Sequence, residues 1–340
     1  MLFGENGYIL IVAVFVDDLL VSARLLCIIK SFVKLLQKHL TIKDLGDAKK
    51  CLSVNITRDR QNGIVYLDQT DKVQSILKEY NMEDCHPCNT PMDSNSPPTA
   101  DLSSKSQTEL QQLTRIPYQN VVGSLMYLMQ MTRPDLAYVV SYMSRFNTNY
   151  NIQHWKALKR ILRYLQGTKD LKLCYRRSES DKLHGFCDST WACDLTHGKS
   201  VTGFVFRCQG GAISWHSRKQ TTVATSTTVA EYQALQSATM EAIWLKGVAE
   251  ELKVKDFNIP IQIYCDNKGA VDLGNNANFS KTTRHVCVKH NFVKENVDLK
   301  NIVINQVSRN DMLADPLTKP VPAPRFNQFI VDAGLVRLSK

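Results

Sequence analysis

The sequence predicts an α/β (α+β) chain: a strand-and-helix front part, a mostly helical middle, and a mixed five-stranded sheet with flanking helices. Three observations carry this. The chain has 340 residues, 44% of them hydrophobic, enough for two or more cores. Short β-branched runs alternate with segments of helical periodicity throughout. After Leu183 the order reads strand, strand, strand, helix, strand, two helices, strand, helix.

The elements follow in order. Tyr8 to Val16 is a continuous apolar run and reads as a buried strand. Asp17 and Asp18 sit at a turn, and Leu19 to Ser22 returns, giving a hairpin with two carboxylates at its tip. Ile28 to His39 spaces Ile28, Ile29, Phe32, Val33, Leu35 and Leu36 as a helix face. Cys51 to Ile56 and Ile64 to Leu67 read as strands joined by a polar turn ending at Gly63. Lys72 to Tyr80 is a short helix. Cys85 to Ser106 is rich in Pro, Ser, Thr and Asp and reads as a linker. Tyr118 to Phe146 is helical with a break at Arg133 and Pro134, and His154 to Gln166 is a helix carrying Lys156, Lys159, Arg160 and Arg163. A polar stretch from Arg176 to Lys182 then separates the last region.

There, Leu183 to Ala192, Val201 to Arg207 and Ala212 to His216 are three strands. Ala230 to Leu252 is a long helix, Ile261 to Cys265 a strand, and Lys268 to Asn275 a short helix. Val286 to Asn296 is helical and Asn301 to Val307 is the fifth strand. Met312 to Thr318 opens a last short helix that Pro320 ends.

The net charge of +10 suits a polyanionic partner such as nucleic acid. No apolar run approaches the roughly 20 residues that span a bilayer, and Met1 to Gly7 lacks the basic residues of a signal peptide, so an intracellular protein is expected. The ten cysteines are scattered and read as reduced thiols. Cys85 and Cys88 form one CxxC without a partner pair. Cys265, His285, Cys287 and His290 match no standard zinc spacing, and packing or surface roles are favoured for them.

Four acids fall where strand ends and helix starts can meet at one edge of the sheet. Asp188 lies in the first strand, Glu231 in the first turn of the long helix, Asp266 at the end of the fourth strand and Asp315 in the last short helix. Taken singly, each also reads as a cap or a solvated strand end. Crowded together they repel unless divalent cations hold them, and an all-oxygen set suits Mg²⁺ or Mn²⁺. Two such ions can activate a water and stabilise the leaving oxygen in phosphodiester cleavage.

At this point a resemblance becomes specific. The segments GFCDSTWACD (Gly185 to Asp194), TGF (Thr202 to Phe204), GAISW (Gly211 to Trp215) and SRKQ (Ser217 to Gln220) are similar, in order, to the RNase H region of copia-type LTR retrotransposon Pol polyproteins. AEYQAL (Ala230 to Leu235), EAIWL (Glu241 to Leu245), IYCDN (Ile263 to Asn267), Arg284 with His285, and LADPLTKP (Leu313 to Pro320) continue it. The front half resembles the same elements' reverse transcriptase through FVDD (Phe15 to Asp18), KDLG (Lys43 to Gly46), TRD (Thr57 to Asp59), VGSLMYL (Val122 to Leu128), TRPD (Thr132 to Asp135) and LRYLQGT (Leu162 to Thr168). Val229 stands where relatives often carry Glu, Cys193 where they usually carry Gly, and Ser53 where a Gly is usual.

The resemblance implies a palm fragment over 1–84, a helical thumb or connection over 85–176, an RNase H-like domain over 183–320 and a C-terminal tail over 321–340. It implies that Asp188, Glu231, Asp266 and Asp315 are catalytic and hold two Mg²⁺ or Mn²⁺ ions, with an RNA–DNA hybrid as substrate. Glu231 is expected also to touch the ribose 2′-hydroxyl. His285 is an auxiliary candidate for product release or proton transfer, set against a structural role. Arg218 and Lys219 are expected in a basic turn that could touch backbone phosphate, or simply be solvated. Asp17 and Asp18 are expected to be relics of a polymerase site whose third aspartate would come from an earlier strand, so primer extension is not expected. The span 181–320 is expected to fold alone. The competing expectation is an inactive or domesticated remnant that binds nucleic acid. Expected locations are cytoplasmic virus-like particles and the nucleus.

Overall fold

The computed structural model describes residues 2–3, 9–95, 97–99, 107–177, 182–194, 196–254, 260–275 and 287–338. Its elements form three sheets and a helical layer. The first sheet has β1 (Leu2–Phe3), β2 (Leu10–Phe15) and β3 (Asp18–Ala23), followed by α1 (Leu26–Gln37). Phe15 pairs with Asp18 across a two-residue turn, and Val16 takes φ 50° to close it. Leu10 and Val12 are buried, whereas Val14, Phe15 and Val16 are exposed, and among the described side chains none of this unit joins the buried clusters of the rest.

The second sheet runs β13-β7-β6-β5-β4, from β4 (Lys50–Cys51), β5 (Val54–Asp59), β6 (Ile64–Asp68), β7 (Lys172–Arg176) and β13 (Leu335–Val336). The expected strand over Cys51 to Ile56 is split by a tight turn at Leu52 and Ser53, with φ 48° and 58°. Glycine adopts such angles freely; Ser53 does so against its Cβ. The order of this sheet corrects two expectations. Residues 172–176, not foreseen as a strand, pair with β6 on one side and β13 on the other. Residues 321–340, expected as a tail, instead carry α10 (Ala323–Asp332) and β13. The tail pattern misled because β13 is only two residues long and draws its stability from its neighbours.

The helical layer contains α2 (Thr70–Glu79), α3 (Gln107–Leu113), α4 (Tyr118–Met131), α5 (Ala137–Ser144) and α6 (Ile152–Gly167). The expected break appears as a 3-10 turn, Pro134–Leu136, since proline cannot continue a helix begun before it. Asn151 caps α6, accepting from the His154 backbone N–H at 3.0 Å.

The third sheet is built from β8 (His184–Thr190), β9 (Val201–Cys208) and β10 (Gly211–Lys219), then α7 (Thr227–Glu251), β11 (Ile261–Cys265), α8 (Lys268–Asn275), α9 (Cys287–Asp298) and β12 (Ile302–Gln306). Its order is β10-β9-β8-β11-β12; the first three strands are antiparallel and the last two run parallel to β8. α7 starts at Ser226, whose side chain accepts from the Val229 N–H at 3.2 Å. Ala230, Ala234, Ala238 and Ala242 recur every fourth residue and are fully buried, so the helix lies close on the sheet. One face of the sheet packs with α7 and α8 in one buried cluster. Val201, Val205 and Ala212 join a second cluster with α2, α4, α5, α6 and α10. Met312 to Thr318 is not a single helix: it follows a 3-10 turn at Arg309–Asp311 and itself holds a second one at Asp315–Leu317. Pro316 supplies no N–H, which favours the shorter turn.

Candidate active site

The register of the central parallel strands places the first two acids. Gln262 stands opposite His184 and Tyr264 opposite Phe186. The same register carried forward sets Cys265 beside Cys187 and Asp266 beside Asp188, on strands roughly 4.8 Å apart. Glu231 reaches them from the start of α7. Its carboxylate, the Cys265 sulfur and the Asp266 carboxylate lie within 4.8 Å of one another.

Asp315 comes from the 3-10 turn that packs on β8 and β9. Gly203 permits that approach: a Cβ there would meet Leu317 Cβ at 2.7 Å and Thr318 Cγ2 at 2.8 Å, closer than packed carbons tolerate. Thr318, three residues after Asp315, ties the corner together. Its hydroxyl donates to Asp188 Oδ2 at 2.6 Å and lies 3.0 Å from the Asp315 carbonyl. Thr190 Oγ1 is 2.9 Å from the same hydroxyl. Lys319 pairs with Asp315.

The electrostatics show that the four acids share one environment. Burial raises the Asp188 carboxyl to about 7; Thr318 and Lys319 pull it down, and the charges of Asp315 and Asp266 push it up. Burial raises Glu231 further, to about 10, aided by Asp188, Cys265 and Asp266. Asp266 is raised by burial and by Asp315, against Arg309 and Lys319. Glu231 is 7% exposed, and its Oε2 has no hydrogen-bond partner. A buried carboxylate oxygen left bare costs free energy that a cation would offset. Such a set of hard oxygen donors can hold divalent cations of the magnesium type.

The structure therefore brings Asp188, Glu231, Asp266 and Asp315 together. Other expected residues lie elsewhere. Asp17 and Asp18 belong to the first sheet, which shares no strand with the acid-bearing one. Arg218 and Lys219 are not in a turn: they are the last two residues of β10, because that strand runs three residues beyond its apolar run. Lys219 is held by Asp194 at 2.9 Å, while Arg218 is exposed. His285 falls outside the described residues. Cys88 donates towards the Arg160 carbonyl at 3.3 Å, an anchor for the linker on α6. Among the described residues, the single group of three or more converging His, Cys, Asp or Glu donors is that of Glu231, Cys265 and Asp266. Sequence reasoning missed Thr318, Lys319 and Cys265 as members of this corner. All three sit inside the LADPLTKP and IYCDN segments, so the available signal was their nearness to Asp315 and Asp266.

Comparison with known proteins adds the following. Residues 1–94 match the sequence model of the family described as reverse transcriptase (RNA-dependent DNA polymerase). The Retrovirus-related Pol polyprotein from transposon TNT 1-94 of Nicotiana tabacum is 37% identical over 324 residues, covering 95% of this chain and 24% of that protein. The chain thus spans about a quarter of that polyprotein's length. A transposon Ty5-1 protein of Saccharomyces cerevisiae is 32% identical over 233 residues, covering 68% of this chain and 73% of that protein. Among solved structures, an RNase H1 isolated from compost by a metagenomic approach aligns with 41% of this chain and 93% of that chain, at 21% identity and a TM-score of 0.32. No helix among the described residues is long and apolar enough to cross a membrane.

Proposed function

This chain belongs to the copia-type retrotransposon Pol polyproteins, and from that premise we propose that its 183–320 region is an RNase H-type endonuclease, cleaving the RNA strand of RNA–DNA hybrids. One observation carries the proposal: four carboxylates from four separate elements converge at one sheet edge, buried enough to hold Asp188 at about 7 and Glu231 at about 10. Burying such a cluster costs stability, and strongly perturbed carboxyls of this kind concentrate at functional sites.

Asp188, Glu231, Asp266 and Asp315 would hold two Mg²⁺ or Mn²⁺ ions, which supply an activated water and neutralise the leaving oxygen. The chain's own residues set the frame. Thr318 orients Asp188 through its 2.6 Å hydrogen bond. Gly203 lets the Asp315 turn lie against β9. Lys319 balances Asp315 and stands beside the cluster as a cation that a scissile phosphate could meet. Glu231, whose Oε2 has no hydrogen-bond partner, would also touch the ribose 2′-hydroxyl. The net charge of +10 supports binding to a polyanion.

The test is hydrolysis of a labelled hybrid by the purified chain in Mg²⁺, with duplex DNA as the control. Asp188→Asn and Asp266→Asn should each lose at least about a hundredfold in rate, since each removes a charged metal ligand. Undiminished cleavage by either variant rules the assignment out.

A further inference from the structure

The corner also holds a sulfur that all-oxygen magnesium chemistry does not use. Cys265 is fully buried, yet its Sγ converges with the Glu231 and Asp266 carboxylates, all three donor atoms within 4.8 Å. A second, separate observation points to a ligand there: Glu231 is 7% exposed and its Oε2 lacks any partner. Bond lengths of about 2.3 Å to sulfur and 2.0–2.2 Å to oxygen set donors roughly 3.5 Å apart around a tetrahedral ion, so the triad has only to contract by about 1 Å.

We propose that Glu231, Cys265 and Asp266 form a binding site for a thiophilic divalent cation of the zinc type, chemically distinct from the four-carboxylate arrangement and overlapping it. Hard Mg²⁺ prefers oxygen and gains nothing from the thiol. A borderline cation gains a thiolate bond and prefers the low coordination number that three protein ligands and a water provide. Bound there, it would take Glu231 and Asp266 and leave Asp188 and Asp315 without a shared partner. On the nuclease reading this makes such a cation an inhibitor, but the site itself does not depend on that reading.

The experiment titrates Co²⁺ into the full chain in excess Mg²⁺, following absorption. Expected is a saturable sulfur-to-cobalt charge-transfer band, which Zn²⁺ abolishes by displacement. Cys265→Ser should remove the band. Glu231→Gln, which keeps the thiol, should retain it with affinity roughly tenfold or more weaker. The Cys85→Ser, Cys88→Ser double variant should leave it unchanged. No band in the parent chain, a band undiminished in Cys265→Ser, or a band lost with Cys85 and Cys88 would each overturn the proposal. The readout is optical, so an absence of hybrid cleavage would count against the nuclease and not against this site.

Discussion

Among single residues, Glu231 holds the least comfortable position. The folded chain keeps its proton up to about pH 10, whereas an ordinary glutamate releases it near 4.5. Between those values the unfolded chain binds fewer protons than the folded one, so stability falls as pH rises across that window. Asp188 adds the same sign between 3.8 and about 7. The slope from one group cannot exceed about 1.4 kcal/mol per pH unit. In chelator, urea unfolding of the parent chain should therefore weaken steadily from about pH 5.5 to 8.5. Glu231→Gln should be the more stable protein at the upper end and show a flatter profile, while losing hybrid cleavage. A parent chain that gains stability with pH, or a Glu231→Gln variant no more stable than it, contradicts this account of the cluster. The convergence of the four acids at one end of the sheet was legible from their order along the strands and helices and from the family resemblance, not from any one of them alone. Thr318 and Cys265 were not legible, since their roles come from a lateral register and a 3-10 turn that no periodicity encodes.

At the level of elements, most strands and helices after residue 183 read correctly, whereas β7, α10 and β13 were not foreseen. β8, β9, β11 and α8 fall close to their expected spans, as does α7, their apolar patterns matching the strand or helix period. β7 and β13 escaped because their neighbours, not their composition, make them strands. The break at Pro134 was visible, but its purpose was not. Arg133 is 2% exposed and grips Asp135 through Nε at 2.9 Å and Nη2 at 2.7 Å, and it also donates to the Thr168 carbonyl at 3.1 Å. Tyr164 donates to the same Asp135 at 2.6 Å. This buried network fastens the 3-10 turn between α4 and α5 to the end of α6. Removing one partner strands a buried charge, at a cost of about 3–5 kcal/mol. Asp135→Ala should thus lower the unfolding midpoint by well over the shift of a surface control such as Asp170→Ala. A midpoint within a degree or so of the parent would mean the network is not holding the turn.

At the scale of the whole molecule, the boundary drawn near residue 182 does not coincide with a break in packing. The sheet of β8 to β12 has its α7 face in one cluster, while Val201, Val205, Ala212, Met312, Leu313 and Leu317 pack into the other with the front-half helices. Each such valine, leucine or methionine contributes about 1.5–3 kcal/mol by burial, so uncovering several costs as much as a typical domain's net stability. Polar ties cross the same seam: Trp215 Nε1 donates to the Met129 carbonyl at 2.9 Å, and Tyr175 to the Ala212 carbonyl at 2.7 Å. The chain's last strand closes it. Gly334, at φ 83°, lies so near β10 that a Cβ would stand 2.5 Å from Gly211 Cα, and the Ala212 N–H donates to Ala333 at 2.9 Å. Contrary to the independence that the 183–320 pattern suggests, a fragment of 181–320 should be aggregation-prone or dye-binding, without a cooperative melt. In the full chain, Gly334→Ala should loosen both sheets together, lowering one shared transition rather than splitting it. Calorimetry with near-ultraviolet dichroism checks both. A fragment that melts cooperatively at the full chain's midpoint would show that the RNase H-like sheet needs neither the helical layer nor α10 and β13 to stand.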